Sequence, residues 1–149
     1  MIVIFCDGAC AGNQFSQNVG GWGAVIQKGS GDRLEISGSK RNTTNQRMEL
    51  MACIEALKVV KGQNMPVGVY SDSAYLVNCI NQKWYERWLR NGWINSRGLP
   101  VENQDLWRAL LELLDGMDVV FRKVKGHAGV GLNDRADELA QKAIREAGV

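Results

Sequence analysis

Strong charge of either sign is missing from this sequence: 18 lysines and arginines face 16 aspartates and glutamates, a formal net charge of +2. Binding to nucleic acid through overall basicity alone is therefore excluded, and a polyanion would have to be met by local patches. No apolar run approaches membrane-spanning length, and no basic segment precedes a long apolar stretch at the N-terminus. The expectation is a soluble, cytoplasmic chain with no membrane partner. The four cysteines, Cys6, Cys10, Cys53 and Cys79, lack the paired Cys-x-x-Cys spacing of a zinc site. They lie in or beside apolar runs and read as buried thiols of a reducing compartment. Repeats, low-complexity tracts and linkers are also absent, and 149 residues suffice for one core, so residues 1–149 are read as a single domain.

What is present begins with Ile2-Val3-Ile4-Phe5-Cys6, an apolar run that reads as a strand covered on both faces, ending at Asp7-Gly8. A carboxylate there is either a turn former before glycine or one member of a cluster at the strand's carboxyl end. A polar loop from Asn13 to Gly21 leads to a second strand at Trp22–Ile26, and Ser30-Gly31-Asp32 turns the chain into a half-exposed third, Leu34–Ser37. Thr43-Thr44-Asn45-Gln46 supplies an N-cap and a Thr-x-x-Gln capping box for a helix running to about Lys61. A fourth strand, Val67–Ser71, also ends in an aspartate, Asp72. Helical patterns cover Ala74–Asn81, Trp84–Arg90 and Asn103–Leu114, a fifth strand covers Val119–Phe121, and a last helix runs from Asn133 through Ala147. The order β-β-β-α-β-α-α-α-β-α predicts an α/β fold with a mixed sheet, an antiparallel meander plus parallel strands, flanked by helices.

If the first and fourth strands are parallel neighbours, Asp7 and Asp72 reach the same edge of the sheet. Glu49 sits at helical spacing from Cys53, Ala56 and Val60, which points it inward from the first turn. Taken alone it is better explained as an ordinary acid placed for the helix dipole. In the last helix Asp134 shares a face with Glu138, Gln141 and Arg145, whereas Asp137 aligns with Ala140 and Ile144 beside the alanine stripe, so Asp137 is the inward candidate. Four clustered acids repel unless divalent cations lie among them, and oxygen-only ligands suit Mg²⁺ or Mn²⁺.

The stretches "DGACAGN" (Asp7 to Asn13), "TTNQRMELMA" (Thr43 to Ala52), "YSDSAYL" (Tyr70 to Leu76), "GWINSRGLPVENQDLW" (Gly92 to Trp107) and "VKGHAGVGLNDRADELA" (Val124 to Ala140) together resemble the motif series of type 1 ribonuclease H, in order and over nearly the whole chain. The resemblance implies the ribonuclease H-like fold with a five-stranded sheet. It also implies hydrolysis of the RNA strand of an RNA–DNA hybrid with two Mg²⁺ ions, Mn²⁺ substituting, leaving a 3′-hydroxyl and a 5′-phosphate. It gives Asp7, Glu49, Asp72 and Asp137 as metal-binding acids and His127, the single histidine, as the catalytic group that assists the water or product departure. It implies minor-groove contacts from Cys10, Asn13, Asn45 and Gln46, a DNA-phosphate pocket containing Thr44 and Asn103, and a further substrate contact at Asn133. No obligatory protein partner is implied, and a monomer is expected.

Between Lys83 and Arg97 the cations Lys83, Arg87, Arg90 and Arg97 meet a single acid, Glu86, among Trp84, Trp88 and Trp93, which resembles the family's basic handle. Trp88 and Trp93 are expected in the core and Trp84 against a sugar. Leu89 and Asn91 make this handle less basic than usual. Other departures are Asn42 in place of the expected pocket cation, with Arg41 one position off, the longer "QFSQNVGGWG" after Asn13, and Val130-Gly131-Leu132 after the histidine loop. The alternatives are a non-cleaving module that binds hybrid or double-stranded RNA, and a relative acting on DNA. Retention of four acids and the histidine argues against the first, and the complete motif series against the second.

Overall fold

The computed structural model describes residues 1–11, 18–29, 31–125 and 131–147. Its elements are β1 (Ile2–Ala11), β2 (Val19–Lys28), β3 (Asp32–Arg41), α1 (Asn45–Val60), β4 (Val67–Ser71), α2 (Ala74–Asn81), α3 (Trp84–Asn91), α4 (Gln104–Leu114), β5 (Val119–Lys123) and α5 (Gly131–Glu146). The five strands form one sheet in the order β3-β2-β1-β4-β5. β1 to β3 are the antiparallel meander, while β4 and β5 join parallel to β1 and to each other.

The first three strands are longer than their sequence patterns suggest. β1 does not end at Asp7. It continues through Ala11 because every residue from Ile2 to Ala11 has a partner on β2, Asp7 opposite Gly23 and Ala11 opposite Val19. Long-range pairing here overrides the turn preference of Asp-Gly. β2 likewise begins at Val19, within the stretch read as loop, and β3 pairs with it from Asp32 to Arg41. The glycines of β2 serve helix packing: a Cβ on Gly21 would strike the Ala140 carbonyl oxygen and meet Ile144 Cγ1 at 2.9 Å, and one on Gly23 would lie 2.6 Å from the Ala136 carbonyl oxygen. Thus α5 lies directly on the backbone of β2 through its alanines.

On the opposite face α1 packs against β1 and β2. Ile2, Ile4, Cys6, Ala24 and Ile26 meet Met48, Leu50, Cys53, Ala56 and Leu57 in the main core, while Phe5, Val25, Leu132, Ala136 and Leu139 form a smaller cluster under α5. Cys6, Cys53 and Cys79 are buried free thiols, as the sequence suggests, and Cys10 is half-buried. Among the described residues no helix is long and apolar enough to cross a membrane.

The N-cap of α1 is Thr44, whose side chain accepts from the Arg47 N–H at 3.1 Å. The Thr-x-x-Gln box expected from Thr43 and Gln46 is not formed, because the third helical position is Arg47 and the buried Thr43 Oγ1 has no partner among the described residues.

Candidate active site

The parallel ladder between β1 and β4 ends at the pair Phe5–Tyr70. Asp7 and Asp72 are each two residues further on, so strand alternation turns them the same way at the same level. Asp72 follows the last residue of β4, and Ser71 and Ser73 hold the turn around it. The buried Ser71 hydroxyl accepts from the Ser73 N–H at 3.1 Å, and the Ser73 hydroxyl caps α2 by accepting from the Leu76 N–H at 3.1 Å.

Glu49 enters from α1. It lies in the second turn, not the first, which removes the helix-dipole explanation. Its approach depends on Gly8, where a Cβ would collide with the Met48 carbonyl carbon and lie 2.5 Å from the Glu49 nitrogen. Among the described residues, Asp7, Glu49 and Asp72 each offer a carboxylate oxygen within 4.8 Å of the others.

Crowding these acids together carries an electrostatic cost. Burial raises the Asp7 carboxyl to about 7, with the charges of Asp72 and Asp137 adding to the rise. The Gly8 N–H, which donates to Asp7 Oδ1 at 2.8 Å, acts in the opposite sense. Burial, followed by the Asp7 charge, raises Glu49 to about 11. Among the described residues, Glu49 Oε2 is buried with no hydrogen-bond partner. An orphaned carboxylate oxygen inside an all-oxygen set fits a hard divalent cation, which would restore both carboxyls to their ionised forms.

Asp137 stands outside this tight set, yet its charge reaches Asp7 from α5. Burial does not separate it from Asp134, since both are half-buried. Its neighbours Ala136 and Ala140 are fully buried against β2, and Gly23 under Ala136 is the β2 partner of Asp7. His127 and Asn13 lie outside the described residues, as do Ser30, Val130 and most of the stretch after Asn13.

The remaining sequence candidates divide by exposure. Thr44, Asn45 and Gln46 are exposed at the start of α1. Half-buried Cys10 donates to the Thr43 carbonyl at 3.6 Å. Asn133 is 2 % exposed inside α5, with no partner for Oδ1 among the described residues. Trp84 is 38 % exposed and Trp93 4 %, while Trp88 packs between Trp93 and Trp107 at ring separations of 5.7 and 5.9 Å. Lys83, Trp84, Arg87, Trp88 and Arg90 line a cavity of about 500 Å³, and a second groove of about 330 Å³ runs from Gln46 past Tyr75 to Trp84.

A chain of polar contacts that the sequence reading missed fixes Asn103. Asp105 accepts two bonds from Arg47, at 3.0 and 2.6 Å, and Arg47 Nη1 donates to Asn103 Oδ1 at 3.3 Å. Asn103 Nδ2 and Trp107 Nε1 both donate to the Tyr75 hydroxyl, at 3.2 and 2.8 Å. Because arginine can only donate, the amide of Asn103 has one orientation. Arg47 places a guanidinium beside Asn103, whereas Arg41 turns away to the Ala147 carbonyl at 3.5 Å and Asn42 carries no charge. The available signal was Arg47 within the quoted "TTNQRMELMA" stretch.

Comparison with known proteins places this geometry. A family model described as RNase H matches residues 1–145. The chain is 53 % identical over 147 residues to a ribonuclease H of Syntrophomonas wolfei, covering 99 % of this chain and 98 % of that one. It is 54 % identical over 143 residues to a ribonuclease H of Symbiobacterium thermophilum, covering 96 % and 94 %. Among solved structures, LC9-RNase H1, a type 1 RNase H with the type 2 active-site motif, superposes with a TM-score of 0.84 at 32 % identity, over 97 % of this chain and 72 % of that one.

Proposed function

Because the chain belongs to the ribonuclease H family, and is by that membership an endonuclease that hydrolyses the RNA strand of RNA–DNA hybrids, we propose that Asp7, Glu49, Asp72 and Asp137 hold two Mg²⁺ ions at the sheet edge. The five-stranded mixed sheet is the family's fold. The observation that carries the assignment of Asp7, Glu49 and Asp72 is the convergence of their carboxylate oxygens within 4.8 Å, with one buried oxygen of Glu49 that has no hydrogen-bond partner among the described residues.

Two such ions supply neutralising charge to the scissile phosphate and polarise the attacking water and the leaving 3′ oxygen, giving 3′-hydroxyl and 5′-phosphate ends. Asp7, set beside Asp72 by strand register, would hold the metal together with Asp72 and Glu49. Glu49 closes the site from α1 and Asp137 from α5. His127 takes or relays a proton near neutral pH. Cys10, Asn13, Asn45 and Gln46 meet the hybrid's minor groove, where 2′-hydroxyls distinguish RNA from DNA, and Thr44 shares the DNA-phosphate pocket with Asn103. Asn103 orients a DNA-strand phosphate, Trp84 contacts a sugar, and Asn133 supports the substrate side of α5. The 149 residues act as one catalytic domain, a cytoplasmic monomer.

Digestion of a fluorescent hybrid, duplex DNA and duplex RNA, with Mg²⁺ and with chelator, tests the reading. Cleavage of the hybrid's RNA strand only when Mg²⁺ is present supports it, and metal-independent or DNA-directed cleavage contradicts it.

A further inference from the structure

We propose that Asn18 is a positioning residue that fixes the N-terminus of α1 against the sheet, so that Thr44, Asn45 and Gln46 meet the substrate in a set geometry. The inference rests on the hybrid-binding role proposed above for these three residues.

Asn18 belongs to the stretch after Asn13 that departs from the family's pattern. The β2–β3 ladder has its last pair at Val19–Arg41. One further backbone bond follows, from the Asn42 N–H to the Asn18 carbonyl at 3.0 Å. The backbone then turns at Asn42, whose φ of 54° is left-handed, and leaves the sheet. From here the side-chain amide of Asn18 takes over. Its Oδ1 accepts from the Thr43 N–H at 2.9 Å and its Nδ2 donates to the Thr43 carbonyl at 3.0 Å. A primary amide carries the same acceptor and donor as a peptide unit, so the side chain extends the ladder by one rung without backbone. Reversing it would set donor against donor and acceptor against acceptor, so both bonds specify one orientation.

The next residue is the cap itself. With the Thr44 hydroxyl taken up by Arg47 and its carbonyl by Met48, the exposed surface at the helix start comprises the side chains of Thr44, Asn45 and Gln46, with the first helical N–H groups beside them. Asn18 therefore governs where this surface sits. It does not govern Glu49, because Met48 and Leu50 on either side are fully buried and hold the helix body independently. A change at Asn18 should move substrate binding and leave the chemical step alone.

The experiment is steady-state hybrid cleavage by the full chain. Asn18→Ala is expected to raise KM by about five- to tenfold with kcat within about twofold of wild type, the scale of losing two hydrogen bonds. Asn18→Asp, which keeps the acceptor and loses the donor, shifts KM in the same direction and carries the test if the alanine variant fails to fold. In an Asn45→Ala/Gln46→Ala background, Asn18→Ala is expected to raise KM clearly less than it does in the wild type, since two of the three side chains it positions are gone. An unchanged KM, a loss confined to kcat, or full additivity in that background overturns the proposal. Failure of the underlying functional reading shows separately, as a wild-type protein that does not cut the hybrid.

Discussion

Asp7 and Asp72 stand the same distance past the last rung that β1 and β4 share, the pair Phe5–Tyr70. Their proximity is therefore a matter of strand register, while Glu49 is brought to them by helix docking. A site built this way is held by rigid elements before any ligand arrives.

Gly8 tests the docking half of that arrangement. In Gly8→Ala the new methyl would overlap the backbone at Met48 and lie 2.5 Å from the Glu49 nitrogen, so α1 must move outward. The expected cost is about 1–3 kcal/mol of stability in denaturant melts, the scale of overpacking elsewhere, together with weaker Mg²⁺ binding by calorimetry. Gly31→Ala, where a Cβ meets nothing within 4 Å, is expected to change neither.

The raised carboxyls give the metal-free protein a defined pH dependence. Asp7 titrates in the folded state at about 7 against an ordinary value of 3.8, and Glu49 is raised further still. Between those values the folded state binds more protons than the unfolded chain, so stability falls as pH rises. Below the unfolded pKa both states are protonated and the penalty is absent. Thermal melts in chelator should lose Tm between pH 4 and pH 8, Mg²⁺ should restore it most at the high end, and Asp7→Asn should flatten the slope. A metal-free Tm that rises across this range contradicts the assignment.

Trp84 and Trp93 should separate binding from stability. Trp93 is buried in the core cluster, so Trp93→Ala is expected to cost about 3–5 kcal/mol. Trp84 is exposed on the handle beside Lys83 and Arg87, so Trp84→Ala should leave the melt nearly unchanged and raise KM for hybrid at least about fivefold. Equal KM for wild type and Trp84→Ala would remove that contact from the substrate path.

Much of this site was legible in the residues. Apolar runs ending near Asp7 and Asp72 pointed to the two strand acids and a 3.6-residue period turned Glu49 inward, and the structure brings these three together, whereas Asp137 stands outside the tight set. Less legible was the continuation of β1 through Asp7-Gly8-Ala9-Cys10, since it depends on β2 supplying a partner for every residue. Gly20 and Gly21 of β2 read as loop because their purpose, close approach to Met48 of α1 and Ala140 of α5, is a tertiary fact. The Asp105–Arg47–Asn103–Tyr75 chain joins residues 28 to 58 positions apart, a separation at which local pattern carries no information. Asn18 was hidden for a related reason: its amide imitates backbone.

The central claim is that the converging acids bind the metal that cuts RNA, and kcat of Asp7→Asn on hybrid in saturating Mg²⁺ tests it most directly, with His127→Ala measured beside it. Expected is a loss on the order of a thousandfold for Asp7→Asn, the equivalent of several kcal/mol of transition-state stabilisation, against a partial loss for His127→Ala. Wild-type turnover by Asp7→Asn, or equal kcat for the two variants, would contradict it.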